Sequence, residues 1–306
     1  HMKGIWLTWE HQRRNIGISS ALNWQLYEIA LNKSPLYRYL YSSVRTLLIL
    51  LREKPEVVIV QNPSIVLAVL ASLLKPIMSY KLVMDAHNAG IYPSEGENRW
   101  LMILAKWLQK QADLVVVTNE ELKKVVEDNG GRGFILPDRL PDAHETKPYV
   151  LDGKFRVAFI CTYAADEPYD SVFEAARMLP EDIIIYVTGK YQSVVDTTCL
   201  PGNVRLLGFV PDDEFWALLN SVDYIMDLTT REGCLVCGAY EGVSLRKPLI
   251  LSDTKAIREY FYKGTVYVKP NAESIYNGIL EAIKKRDELK TEIDDLKETL
   301  SQAWNS

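Results

Sequence analysis

In the stretch REGCLVCGAYEGVSLRKPLILSD, residues 231–253, Glu232 and Glu241 stand nine positions apart, after a strand-like run that ends at Asp227 and before another at Leu249 to Leu251. A helix is expected from about Gly238 to Leu245, with Glu241 in its first turn. A helix N-terminus presents unpaired N–H groups and a partial positive charge, so it suits a phosphate; a nearby carboxylate can accept both hydroxyl protons of a ribose. A nucleotide-sugar fits that pair of features. The structural alternative is that an acid in a first turn simply compensates the helix dipole. Cys234 and Cys237 have C-x-x-C spacing, but no second pair completes a zinc site and no redox context surrounds them, so they read as packing.

The elements that must hold these residues form a repeat of short β-branched runs and longer amphipathic segments. In the first half the expected strands are Ile5 to Thr8, Gln25 to Ile29, Val57 to Val60, Leu82 to Asp85, Leu114 to Val117 and Phe134 to Leu136. Helices include Trp100 to Gln111 and the segment TNEELKKVVEDNGG, capped by Thr118 or Asn119 and ended by Gly130 and Gly131. After the proline- and charge-rich LPDRLPDAHETKPYVLDGK the pattern restarts, with strands at Arg156 to Ile160, Ile183 to Val187, Val204 to Leu206, Tyr224 to Asp227, Leu249 to Leu251 and Val266 to Val268. Most runs are apolar throughout, as in parallel sheets covered on both faces, where ligands bind outside the carboxyl ends of the strands. His87 falls at such an end, where an imidazole can donate to a departing phosphate or hold a sugar hydroxyl; a satisfied strand-end histidine is the plain alternative.

Composition agrees with two globular domains: 306 residues, 48% hydrophobic and 25% charged. A net charge of −5 argues against a nucleic-acid partner. The longest apolar stretch, Ile65 to Leu74, is too short to span a bilayer, and no secretory signal opens the chain, so a cytoplasmic location with reduced thiols is expected. Neither G-x-G-x-x-G nor a Walker loop occurs, which removes the usual support for a dinucleotide or P-loop site.

The segment EGVSLRKPLILSD, with Lys247 and Pro248 at a fixed offset from Glu241, resembles the donor-binding segment of GT-B glycosyltransferases, particularly family 4. That family carries Glu-x7-Glu; here Glu232 is one residue early and Gly233 stands at the first acid's position. The resemblance implies Glu241 as ribose ligand and Glu232 as sugar-hydroxyl ligand, with Gly233 and Cys234 beside the donor. LLGFVPDDEFWALLNSVDYIMDLT resembles the base-framing segment, which implies Phe209 and Val210 against the nucleobase.

VIVQNPSIVLAVLASLL and LVMDAHNAG are similar to segments of the mannosyltransferases that extend the chitobiosyl-diphosphate lipid, through Asn62, Pro63, His87, Asn88 and Gly90. TYAADEPYD is similar to a Thr-x-Asp-Glu segment of the same relatives, although Asp166 or Glu167 could instead cap the following helix. The Arg and Lys that many family 4 enzymes place there are replaced by acids, so Arg231, Arg246, Lys247 or the helix N-terminus would have to offset the diphosphate. WEHQRRNIGISSALNW stands where the family has its first glycine-containing βα loop; Gly17 is its glycine, and Arg13, Arg14 and Asn15 are either anion contacts or solvated surface.

Two helices bear on partners. Arg38, Arg45 and Arg52 recur on one face of the 36–54 segment, with Leu40, Val44, Leu47, Leu48 and Leu51 on another and Tyr37, Tyr39 and Tyr41 nearby. This suits peripheral contact with the inner face of a membrane, or a core helix with solvated arginines. The last helix, with Ile283, Leu289, Ile293, Leu296 and Leu300 at helical spacing, is expected to cross back to the first domain or to pair with another chain.

The resemblance thus implies an α/β GT-B protein: Rossmann-like domains at residues 2–145 and 146–285 facing a central cleft, and a C-terminal helix at 286–306. Its expected activity is sugar transfer from a nucleoside-diphosphate donor to a glycan or lipid-linked acceptor, without metal or cofactor. His87 and Glu232 would be catalytic, and Asn62, Asn88, Glu10 and His11 would lie on the acceptor side, with Glu10, His11 and Glu95 as candidate bases. The competing classes are a catalytically silent nucleotide- or partner-binding protein and a sugar-nucleotide epimerase, which donor transfer or hydrolysis would separate.

Overall fold

A computed structural model describes residues 2–144, 146–147 and 149–305, with side chains at all of these except Arg13 and Glu95. The roles expected for the Arg13 and Glu95 side chains therefore lie outside the described part. The chain divides into two compact units, residues 1–139 and 140–306.

The first unit runs β1 (Gly4–Thr8), α1 (Arg13–Ala21), β2 (Gln25–Glu28), α2 (Pro35–Glu53), β3 (Val57–Gln61), α3 (Ile65–Met78), β4 (Lys81–Asp85), α4 (Asn88–Ile91), α5 (Arg99–Gln111), β5 (Leu114–Val117), α6 (Glu120–Asp128) and β6 (Gly133–Ile135). The six strands form one parallel sheet in the order β2-β1-β3-β4-β5-β6. Its central members are apolar on both faces: VVIVQ of β3 is buried at every position, as a strand covered on both sides requires. Right-handed crossovers place α1 on one face and α2, α3 and α5 side by side on the other. Asn119 caps α6 by accepting the Leu122 N–H, and Gly130 leaves the helix at φ +82°.

α2 packs on the sheet by a narrow face that mixes hydroxyl-bearing and apolar side chains. Ser42, Thr46, Ile49 and Leu50 face the sheet, where Trp9 Nε1 donates to Thr46 Oγ1. Leu36, Leu40, Val44, Leu47, Leu48 and Leu51 are exposed, Leu36 at 82%. The reading of α2 as a plain core helix is corrected in part: Ile49 and Leu50 join Ser42 and Thr46 on the inward face, while five of its six leucines are exposed.

The second unit runs β7 (Phe155–Phe159), α7 (Tyr169–Met178), β8 (Ile183–Thr188), β9 (Val204–Gly208), α8 (Asp212–Ser221), β10 (Tyr224–Asp227), α9 (Cys237–Ser244), β11 (Leu249–Ser252), α10 (Lys255–Tyr260), β12 (Thr265–Val268), α11 (Ala272–Lys284) and α12 (Arg286–Asn305). Its sheet is also parallel and six-stranded, in the order β12-β11-β10-β7-β8-β9. Leu289, Ile293, Leu296 and Leu300 of α12 are buried in this unit's own core. Gly264, at φ +65°, lies so close to Ile293 that a Cβ would meet its backbone at 2.8 Å. The apolar stripe of α12 is therefore part of the second unit's own core. Among the described residues no helix is long and apolar enough to cross a membrane.

Candidate functional site

In each unit a buried aspartate ends a central strand and organises the loops around it. In the first unit this is Asp85, the last residue of β4. Arg14, near the start of α1, donates from Nε to both Asp85 oxygens at 3.0 Å and from Nη2 to Oδ1 at 2.8 Å. Its remaining reach goes to Asp138 and to the Leu136 carbonyl. Burial alone would lower the guanidinium pKa, but the Asp85 and Asp138 carboxylates more than offset this and keep it charged.

His87 Nε2 lies 3.7 Å from Asp85 Oδ2 and makes no hydrogen bond among the described residues. His87 stands at the N-cap position of the short α4 with an extended backbone and no side-chain cap bond, and its backbone carbonyl accepts from Gly90 N–H at 2.8 Å. Gly90 must be glycine here, since a Cβ would stand 1.8 Å from the Asn62 carbonyl oxygen. Asn62 itself is buried, and its backbone N–H donates to the Asp85 carbonyl. Thus Asn62, Asp85, His87, Asn88 and Gly90 gather at the carboxyl ends of β3 and β4. Beside them Gln61 Oε1 accepts from Thr8 Oγ1 and Asn15 Nδ2, and Gln61 Nε2 donates to Gln12.

Several first-unit expectations are corrected. Arg14 is committed to two carboxylates and a carbonyl and is buried, so its guanidinium does not offer itself to a phosphate. Gly17 lies inside α1, which begins at Arg13, so it is not in the βα loop at all; no atom stands within 4 Å of where its Cβ would be. His11 is exposed, and its Nδ1 stands 2.9 Å from Glu28 Oε1; Glu10 is an exposed loop residue whose backbone bonds Thr8 Oγ1.

In the second unit the corresponding residue is Asp227, at the end of β10. It is buried and accepts the Gly238 N–H of α9 at 2.8 Å. Burial pushes its carboxyl well up, helped by the charges of Glu167, Glu241 and Asp166, and only the Gly238 N–H pulls it down. α9 begins at Cys237, so Glu241 falls in the second turn and not the first; it is buried. Glu232 is exposed on the preceding loop with Gly233 and Cys234. Cys234 packs against the second unit's core, whereas Cys237 is exposed, contrary to its reading as packing.

Neither Asp166 nor Glu167 caps α7, whose N-cap is Pro168 without a side-chain bond. Glu167 instead closes its own loop, accepting from Thr162 N–H at 2.9 Å and Ala164 N–H at 2.8 Å. Cys161 beside it is buried, which pushes the thiol up. Asp166 accepts from Thr229 Oγ1 at 2.6 Å and stands 3.5 Å from Arg231 Nη2, joining the loops after β7 and β10. Phe209, 69% exposed, follows β9 and Gly208 at φ +73°; Lys190 Nζ sits 5.8 Å from its ring centroid, and Val210 is half-buried.

Lys247 is not at this edge. It follows the eight residues of α9, which carry the chain about 12 Å back along the sheet. There Nζ donates to the carbonyls of Asn220 and Val222 at 2.7 and 2.9 Å, and burial lowers its pKa. Arg246 pairs with Asp294 and Glu298 of α12. Both cations hold the fold together, which corrects their placement beside a diphosphate. Among the described residues no group of three His, Cys, Asp or Glu side chains could hold a metal ion.

Sequence reasoning missed Asp85 and Asp227. The available signal was an aspartate directly after Met at the end of an otherwise apolar strand, LVMD and YIMD.

No protein-family model matches the chain, and no curated protein matches it. Solved structures do. The sucrose-phosphate synthase of Thermosynechococcus elongatus superposes with a TM-score of 0.80 at 13% identity, covering 99% of this chain and 95% of that one. HepE of Anabaena, solved with UDP and glucose, gives a TM-score of 0.77 at 15% identity, covering 99% and 96%. A glycosyltransferase from Rickettsia africae gives 0.71 at 12% identity, covering 99% and 94%. The chain has the GT-B fold, two Rossmann-like parallel-sheet units in tandem.

Proposed function

We propose that the chain is a glycosyltransferase that moves a hexosyl group from a nucleoside-diphosphate sugar to a glycan or lipid-linked acceptor in glycoconjugate or polysaccharide synthesis. The observation that carries this reading is the grouping at the carboxyl edge of the second sheet. There an exposed aromatic ring, Phe209, follows β9, a cation, Arg231, lies on the loop that leads from β10 to α9, and a buried acid, Glu241, lies on α9. Phe209 and Val210 would stack on the base, Glu241 would hold the ribose, and Arg231 would face the diphosphate. Exposed Glu232, with Gly233 and Cys234, would meet the sugar.

In the transfer step the acceptor oxygen bonds to the anomeric carbon as the bond from that carbon to the diphosphate oxygen breaks. The nucleoside diphosphate leaves with the electron pair, and the acceptor's proton passes to a base. Helix ends and side chains would stabilise the leaving group in place of a metal. In the first unit His87 would act on the departing phosphate or a sugar hydroxyl, with Asn62, Asn88, Glu10 and His11 on the acceptor side. The shared Asn62, His87, Asn88 and Gly90 segment favours a diphosphate-lipid acceptor like that of the chitobiosyl-lipid mannosyltransferases. The exposed leucine face of α2 favours work at the inner face of a membrane.

HepE was solved with UDP and glucose, so UDP is the first nucleotide to test. Calorimetric titration of UDP, GDP and ADP into the wild type and Glu241→Gln should give selective binding by one nucleotide, weakened at least tenfold in the variant. Equal affinities in the two proteins would remove Glu241 from the site, and no binding by any nucleotide would overturn the donor reading.

One set of observations favours the silent reading: the Gly238 N–H is taken by Asp227, and Arg14 and Lys247 are spent on internal partners. Nucleotide binding without release of sugar to water or acceptor would select it.

A further inference from the structure

The exposed face of α2 is not isolated. α3 packs against both α2 and α5, and right-handed crossovers put all three on the same face of the first sheet. Each shows apolar side chains to solvent. α3 exposes Leu73 and, at 77%, Ile77. α5 exposes Trp100, at 80%, with Ile103 and Trp107, at the i, i+3, i+7 spacing of one helical face. On α2, exposed Tyr37 and Tyr41 stack at 6.0 Å alongside the leucines.

Charge on the three helices runs against the rest of the chain. They carry Arg38, Arg45, Arg52, Lys75, Arg99, Lys106 and Lys110, and a single acid, Glu53. The whole protein has 35 Lys and Arg against 40 Asp and Glu. Lys75 pairs with Asp113 and Arg52 with Glu53, and Arg38, Arg45, Arg99, Lys106 and Lys110 remain; apolar side chains, Trp and Tyr, and an excess of cations are the features of a surface that lies in a lipid headgroup layer. A second copy docking through the same face would bring like charges together, so charge complementarity points to an anionic occupant.

From this arrangement we infer that α2, α3 and α5 form one docking platform for an anionic lipid bilayer. The inference extends the α2 contact proposed above and rests on it. It does not depend on sugar transfer.

The test is co-sedimentation of the full chain with vesicles of phosphatidylcholine alone and with about one third phosphatidylglycerol. Selective binding to the anionic vesicles, weakened by salt, is expected. Trp100→Ala combined with Trp107→Ala should lower the partition coefficient about tenfold or more, and Lys106→Gln and Lys110→Gln should each lower it about fivefold. The melting temperature shows that each variant folds. UDP affinity, read separately, reports on the donor reading, so either can fail alone.

Undiminished binding by the tryptophan variant would overturn the three-helix platform while leaving α2 as sole contact. Equal binding to neutral and anionic vesicles, or none to either, would overturn the anionic bilayer as occupant. A wild-type dimer in sedimentation velocity that the tryptophan substitutions dissolve, without vesicle binding, would name a second copy instead.

Discussion

Arg14 Nη2 lies 2.8 Å from Asp85 Oδ1, and the two side chains are only 3% and 1% exposed. Removing one partner of such a pair strands a buried charge, which costs far more than the pair is worth. Arg14→Met should therefore destabilise the first unit by about 3–5 kcal/mol, and Arg14→Met with Asp85→Leu should recover part of that loss. Urea denaturation of the single and double variants measures both; a double variant no more stable than the single would refute the account.

Asp227 makes stability depend on pH in an unusual direction for an acid. Its folded pKa is raised above 3.8, so between that value and the folded pKa the folded chain keeps a proton that the unfolded chain releases. Its contribution is full below about pH 4 and is lost as pH rises through the folded pKa. Asp227→Asn keeps an acceptor for the Gly238 N–H and has no proton to lose. Its stability relative to wild type should therefore rise with pH above about pH 4, by about 1.4 kcal/mol per unit while the native carboxyl stays protonated. Thermal unfolding at a series of pH values would show a constant difference if Asp227 ionised normally.

Gly90→Ala forces a Cβ against the Asn62 carbonyl, so α4 must shift. A cost of about 1–3 kcal/mol is expected. In an activity assay, once one is established, the variant should lose turnover more than donor affinity, since the displaced element carries His87.

Phe209 and Lys247 should separate binding from stability. Phe209→Ala removes an exposed ring and should change stability by less than about 0.5 kcal/mol, while weakening nucleotide affinity roughly tenfold through lost stacking. Lys247→Met removes donors from two carbonyls and should cost about 1–3 kcal/mol of stability with affinity unchanged. Calorimetry and denaturation on the same two variants test the pair, and a reversed pattern would put Lys247 back at the donor.

The sheets were legible because apolar β-branched runs such as VVIVQ and IIIYVT have no other stable place than a covered parallel strand. Helix starts were less so. α1 opens directly at Arg13 with no side-chain cap, so the sequence offers no sign that Gly17 is helical, and α9 opens one residue earlier than the sequence suggests, which places Glu241 in the second turn. The two strand-ending aspartates are not legible because an acid ordinarily faces solvent, and only the folded chain shows that they accept from Arg14 and from a helix N–H. For α2, periodicity located two faces without saying which meets the sheet. The hydroxyl of Thr46 and the indole of Trp9 settle that, and they are 37 residues apart in sequence.

The placement of α12 bears on the order of synthesis. The first unit has all six strands by Ile135, so it can fold while the rest of the chain is still being made. The second unit cannot finish so early, because Leu289, Ile293, Leu296 and Leu300 fill its core only after every one of its strands has emerged. A nascent chain that has emerged only as far as residues 268 to 286 would thus hold a complete first unit and a second whose β-strands are all present but whose core still lacks the α12 side chains. At that stage the apolar surface that α12 will cover stays open to solvent, where a chaperone could bind it.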